Sequence, residues 1–339
     1  VYKRQLRKSP KHTERIVEIL RPLYESLDDW RRQIHLNEDR YQLAQAAQDK
    51  VGVLRETAEL WEKRGDDLNR ARRALEAAVR LDPDDSDTRA EYERWTERTN
   101  AWDALSDAYE NVLEEHPGLR DKREVLTKLA DVHNQRRDDP RKALSAYERL
   151  FAADDSDIEP LIKMEQLATL LSDWPVLVRV LTAKAELVAS DDERASVWRR
   201  VAEAKRDMLD DAAGAVAGYE KALELDPESS FTVDCLIELY ESKGDAARLV
   251  ELYVRRVELT GEEDADLKYT LLVSAAACYD QQLSDKRRAI EVLEQSLGVR
   301  PGDPGVLASE GIQPELEPED WVRARPFSAP RLLARSYPP

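Results

Sequence analysis

Four histidines (His12, His35, His116 and His133) and two cysteines (Cys235 and Cys278) are the only imidazoles and thiols in this chain of 339 residues. They are too scattered to make a metal site. No HExxH, no CxxC and no Cys/His ligand spacing occurs. Cys235 and Cys278 stand inside apolar helical patterns and read as small buried residues rather than a disulfide framework. His133 stands where an aromatic packing residue is expected and is read the same way. Nucleotide and acyl-transfer signatures (GxGxxG, the P-loop, GxSxG) are also missing, so no cofactor and no catalysis are expected. The remaining candidates for acid–base chemistry are paired carboxylates: Asp66-Asp67, Asp138-Asp139 and Asp210-Asp211. A catalytic pair occurs once, whereas these recur every 72 residues. That recurrence points to helix capping, because an aspartate before a helix accepts from its orphan N–H groups.

The elements carrying those turns recur with the same period. Ala71–Ala78 followed by Leu81-Asp82-Pro83, Ala143–Leu150, and Ala215–Ala222 followed by Leu225-Asp226-Pro227 are copies 72 residues apart. Ala289–Ser296 followed by Val299-Arg300-Pro301 is a fourth, 74 residues further on, the shift lying near Gly261-Glu262-Glu263. Such a period marks a repeat architecture. Apolar spacing within it is helical rather than alternating. Two hairpin types of about 36 residues alternate: one is seen in the series Trp30, Trp102, Trp174, the other in the Ala71 series. The fold is therefore expected to be all-α, a right-handed α-solenoid of about eight antiparallel helical hairpins. In the first hairpin Pro22 should kink or split the opening helix, and the second helix should run from Trp30 to Ala47. Ser86 or Asp87 should cap the helix after Pro83. Small residues at Ala58, Ala130, Ala202 and Ala276, and at Ala71, Ala143 and Ala215, should let paired helices approach closely.

Charge narrows the partner. Charged residues make up 36% of the chain, with a net charge of −18. Residues 6–307 alone carry 46 basic and 65 acidic side chains, so the acidity belongs to the repeats. A surface of that sign repels phosphate backbones and argues against nucleic acid, including the RNA bound by some helical-repeat proteins of similar period. No apolar run approaches the ~18 residues of a membrane helix, so no membrane insertion is expected in this stretch.

The alternate hairpins resemble tetratricopeptide repeats, whose pattern runs W-x2-L-G-x2-Y, A-x3-F and P over about 34 residues. Trp198, Val201, Ala202 and Lys205 stand in its first half, and Ala215, Tyr219, Ala222 and Pro227 in its second. Ala71, Leu75, Ala78 and Pro83 match the second half, as do Ala289, Leu293 and Pro301. The intervening hairpins match weakly. The resemblance implies a superhelix whose first helices line a concave groove binding a protein or peptide. The groove residues it implies are Arg55, Glu59 and Glu62; Thr127, Asp131 and Asn134; Arg199, Glu203 and Arg206; and Asp280. Some family members grip a C-terminal carboxylate with a Lys/Asn/Arg set, which these positions do not reproduce. The function implied is an interaction scaffold. The alternative is the docking or regulatory arm of a larger enzyme whose catalytic domain lies elsewhere.

The two ends depart from the pattern. Val1-Tyr2-Lys3-Arg4-Gln5 reads as the translation of a sequencing-library adapter (GTG TAT AAG AGA CAG), so the array is expected to span residues 6–307 of a fragment. Residues 301–339 hold eight of the 16 prolines. Ala308–Pro339 is expected to form no stable structure, as a flexible tail or an out-of-frame translation.

Overall fold

The computed structural model describes residues 10–300, with side chains from Thr13 onward. The adapter-like Val1–Gln5, His12 and the Ala308–Pro339 segment lie outside the described side chains. Sixteen α-helices and no strands occur among the described residues. The chain divides between Asp173 and Trp174 into two compact units.

The first unit holds α1 (Pro10–Ser26), α2 (Trp30–Leu43), α3 (Ala47–Leu60), α4 (Leu68–Leu81), α5 (Ser86–Thr99), α6 (Trp102–Glu115), α7 (Lys122–Asp131), α8 (Pro140–Ala153) and α9 (Ile158–Leu170). The second holds α10 (Trp174–Leu187), α11 (Asp191–Leu209), α12 (Ala212–Leu225), α13 (Ser230–Lys243), α14 (Ala246–Glu258), α15 (Ala265–Ala277) and α16 (Lys286–Val299). The helices pair in chain order, so α1–α2, α3–α4, α5–α6 and α7–α8 are hairpins in the first unit. In the second, α11–α12, α13–α14 and α15–α16 are hairpins. The fifth expected hairpin contributes α9 to one unit and α10 to the other.

The turns explain the alternation of hairpin types. Every hairpin turn has one residue at positive φ: Asp28, Asp66, Asn100, Asp138, Ser172, Asp210, Gly244 and Ser284. After Asp28, Asn100, Ser172 and Gly244, the next N–H bonds the carbonyl five residues back, as in Ala101 to Thr96 at 3.0 Å. That is the Schellman closure of a helix. After Asp66, Asp138, Asp210 and Ser284, the bond reaches six residues back, as in Asp139 to His133 at 2.9 Å. In three of these four the extra residue sits in a widened π turn: Trp61–Gly65, Val132–Arg136 and Cys278–Gln282.

The paired aspartates split their labour. Asp66, Asp138 and Asp210 take the left-handed conformation, which an aspartate tolerates better than most residues. Asp67, Asp139 and Asp211 accept from the N–H of Arg70, Lys142 and Gly214. Capping is thus the role of these pairs. Elsewhere details differ from expectation. Asp85, rather than Ser86 or Asp87, caps α5, because its carboxylate reaches the Asp87 and Thr88 N–H groups together. Pro22 does not split α1: it faces solvent, where water can satisfy the carbonyl that loses its partner. The second helix stops at Leu43, and Ala47 begins the next one.

Core packing follows the small-residue register. Ala71, Ala130, Ala143, Ala202 and Ala215 are completely buried, and Ala58 and Ala276 nearly so. At Gly218 a side chain would stand 3.2 Å from the Ala202 Cα, so α12 presses directly on the backbone of α11. The large residues Tyr92, Trp95, Tyr109 and Tyr219 fill the space between helices. Trp30 packs edge-on against Trp61 of the next hairpin, with centroids 5.5 Å apart.

Candidate functional site

Within the first unit, α3, α5 and α7 bring residues about one hairpin apart to face each other. The ion pairs record this offset. Arg55 meets Glu91 at 3.2 Å, and Arg98 meets Glu62 at 3.1 Å, both 36 residues apart. Arg136 meets Glu97 at 3.3 Å, 39 residues apart. These pairs belong to the open face of α3, α5 and α7.

Two clefts lie on that face. The first, about 500 Å³, runs between α3 and α5. Arg55, Glu59 and Glu62 line it from one side, Glu91 and Arg94 from the other, and Leu75 and the buried Trp95 form part of its lining. The second, about 360 Å³, is lined by Glu93, Arg94 and Glu97 of α5, by Trp102 at the start of α6, by Lys128 and Asp131 of α7, and by Arg136 in the turn beyond. Arg94 lines both clefts.

Almost every charge in these walls has a counter-group. Glu56 pairs with Arg40, and Lys63 with Glu59. Glu93 pairs with Lys128 at 2.8 Å and also accepts from the Tyr109 hydroxyl at 2.5 Å. Asp131 accepts from the Tyr147 hydroxyl at 3.0 Å. Burial, and then the adjoining carboxylate, push both tyrosines well above the usual phenol range, so they remain donors at neutral pH. At the base of α5, burial works to raise Asp85. Hydrogen bonds from the Thr88 hydroxyl and N–H, helped by Arg55, outweigh it and hold the carboxyl below its ordinary value. Arg94 is the exception. It is exposed, its guanidinium carbon lies 5.5 Å from the Trp95 ring, and it makes no ion pair among the described residues. Trp102 is half-buried, with the Arg136 guanidinium 4.9 Å from its ring.

Of the ten residues singled out from sequence, Arg55, Glu59, Glu62 and Asp131 line these clefts. Thr127 is exposed on α7, its hydroxyl donating to the Arg123 carbonyl at 2.8 Å. Asn134 is half-buried in the widened turn. Arg199, Glu203, Arg206 and Asp280 belong to the second unit. There Arg199 bonds Asp226 at 2.9 Å, Arg206 bonds Asp207 at 2.7 Å, and Asp280 is exposed. The residues missed are those of α5: Glu91, Glu93, Arg94, Glu97 and Arg98. Their signal was the half-period, since adding 36 to Arg55 and Glu62 gives Glu91 and Arg98.

No group of three or more His, Cys, Asp or Glu is placed to hold a metal ion among the described residues. His35 stands 3.7 Å from Glu38, and the His116 ring bonds the Arg80 carbonyl. Cys235 and Cys278 are buried and free, and burial pushes both thiols up. No described helix is long and apolar enough to cross a membrane.

No protein-family model matches the chain, and no curated protein matches its sequence. Solved structures do. MamA is 17% identical, with 50% of this chain and 94% of that one aligned at a TM-score of 0.30. YrrB, described as a TPR protein with an unusual peptide-binding site, is 12% identical over 61% of this chain and 99% of its own, at 0.32. A tetratricopeptide repeat protein from Parabacteroides merdae is 17% identical over 77% and 98%, at 0.29.

Proposed function

We propose that the chain is a protein-interaction scaffold without chemistry of its own, and that the face formed by α3, α5 and α7 receives a peptide segment or partner helix. The observation that carries this reading is Arg94, an exposed cation lining both clefts and without an ion pair among the described residues. The surrounding charges are internally matched, so a ligand gains little by competing for them. A ligand carboxylate set on Arg94 gains a charge-assisted bond at no such cost. Trp102 supplies a flat apolar surface beside it. Arg55, Glu59, Glu62 and Asp131 then act as the polar walls, with Thr127 and Asn134 beside them, and in the second unit Arg199, Glu203, Arg206 and Asp280 are the corresponding candidates.

The test is selection from a displayed random-peptide library on the immobilised full chain. Enriched peptides should carry an acidic group and lose roughly tenfold in affinity on Arg94→Glu, the worth of one charge-assisted bond. Arg199→Glu with Arg206→Glu should weaken any peptide held by the second unit. Peptides held equally well by the Arg94→Glu protein, or no enrichment at all, would overturn the assignment.

A further inference from the structure

In the first unit the charges on the second helices α4 and α6 are matched. Arg72 bonds Glu76 within α4 at 2.9 Å, and Arg80 reaches Glu115 at the end of α6 at 3.0 Å. Two 72-residue periods further on, the same four positions carry Val216, Glu220, Glu224 and Leu259. Neither ion pair can form there. Val216 replaces the cation that neutralises Glu76, Glu224 reverses the charge of Arg80, and Leu259 takes the place of its partner.

A cleft of about 430 Å³ lies at this place in the second unit, lined by α12, α13 and α14. Its size falls within the range of ligand sites. The buried Leu223, Leu236 and Leu252 give it an apolar lining. Tyr240 of α13 also lines it, at a repeat position where Thr96 and Ala168 are small and completely buried. The Tyr240 hydroxyl donates to Glu220 of α12 at 2.6 Å.

The charges of the cleft do not balance. Arg248 is taken up by Glu251 at 2.8 Å, and Arg255 donates to the Pro227 carbonyl at 3.0 Å. Glu220 accepts from a neutral hydroxyl, and Glu224 is exposed. Neither glutamate makes an ion pair among the described residues. They stand four residues apart on α12, the spacing at which like charges on a helix repel. A cation set between them relieves that repulsion, and an aliphatic group beside it gains burial against the leucines. An anion would meet both carboxylates.

We propose that this cleft docks a basic segment of a partner protein, which inserts one aliphatic side chain among the leucines and sets a lysine or arginine on Glu220 and Glu224. The site takes the opposite charge to the one at Arg94 and does not depend on it.

Peptides selected from a displayed library on the immobilised full chain separate the two sites. A class carrying Lys or Arg next to Leu, Ile or Met should lose roughly tenfold in affinity on Glu224→Arg and keep its affinity on Arg94→Glu. Changing the basic residue of such a peptide to Glu should weaken it on the wild-type chain and restore it on Glu224→Arg, a reversal that misfolding cannot produce. Glu220→Gln keeps an acceptor for Tyr240 and should cause a smaller loss in the same direction. Glu224 is exposed, so circular dichroism should show unchanged helix content for Glu224→Arg. The absence of such a class, basic peptides held equally by the wild-type and Glu224→Arg chains, or no reversal of charge preference would each overturn the proposal.

Discussion

Asp138 and Asp139 are adjacent and chemically identical, yet replacing them should move stability in opposite directions. Asp138 has φ near 50°, the left-handed region. An L-residue there carries a cost of about 1–2 kcal/mol, somewhat less for aspartate. Glycine removes it, and gives back about 0.4–1 kcal/mol through the greater freedom of the unfolded chain. Asp138→Gly should therefore stabilise by about 0.5 kcal/mol. Asp139 has φ −113° and ψ 79°, outside the helical region that Pro140 disfavours for the residue before it, and accepts from the Lys142 N–H at 3.1 Å. Asp139→Ala strands that N–H at the start of α8 and should cost about 1 kcal/mol. Urea unfolding of the full chain, with hydrogen exchange over α7 and α8 as the local readout, measures both. The local readout matters because repeat arrays need not unfold in one step. A shift of the same sign for the two variants would refute the division of labour between the paired aspartates. The same experiment at Asp66/Asp67 and Asp210/Asp211 would repeat the test twice.

Ala143 is completely buried, so Ala143→Glu places an unpaired carboxylate between helices and should cost roughly 3 kcal/mol or more in a melting experiment. Trp95→Ala should cost about 3–5 kcal/mol through the cavity it leaves, whereas Trp102→Ala should cost much less stability but remove peptide binding. His133 is buried, and its Nδ1 has no hydrogen-bond partner. Burial first, then the Arg137 and Lys142 charges, lower its pKa against the opposing pull of Asp139 and Glu110. Because the folded value lies below the unfolded one of about 6.5, stability is complete above that pH and falls as pH drops from about 6.5 through the folded value. His133→Phe should flatten that part of the stability–pH curve, and an unchanged slope would count against the buried neutral imidazole.

Periodicity by itself determined the helices, their pairing and the turns. A 72-residue recurrence of small residues, acidic pairs and apolar spacing admits only stacked hairpins, since each hairpin buries its apolar face on its neighbours. Capping was readable too, because the second aspartate of each acidic pair interacts within three residues of itself. What the sequence did not reveal depends on distance across the stack. The widened π turns arise from how one helix end seats on the next, and no residue type announces them. Helix α5 matches the repeat pattern weakly, so that pattern does not mark its charged residues, although the helix forms the wall common to both clefts. Arg94 stands out for the same reason. Whether a surface cation is matched is settled by carboxylates one hairpin away, and only the tertiary structure brings Arg55 to Glu91 and Arg136 to Glu97 while leaving Arg94 without an ion pair among the described residues.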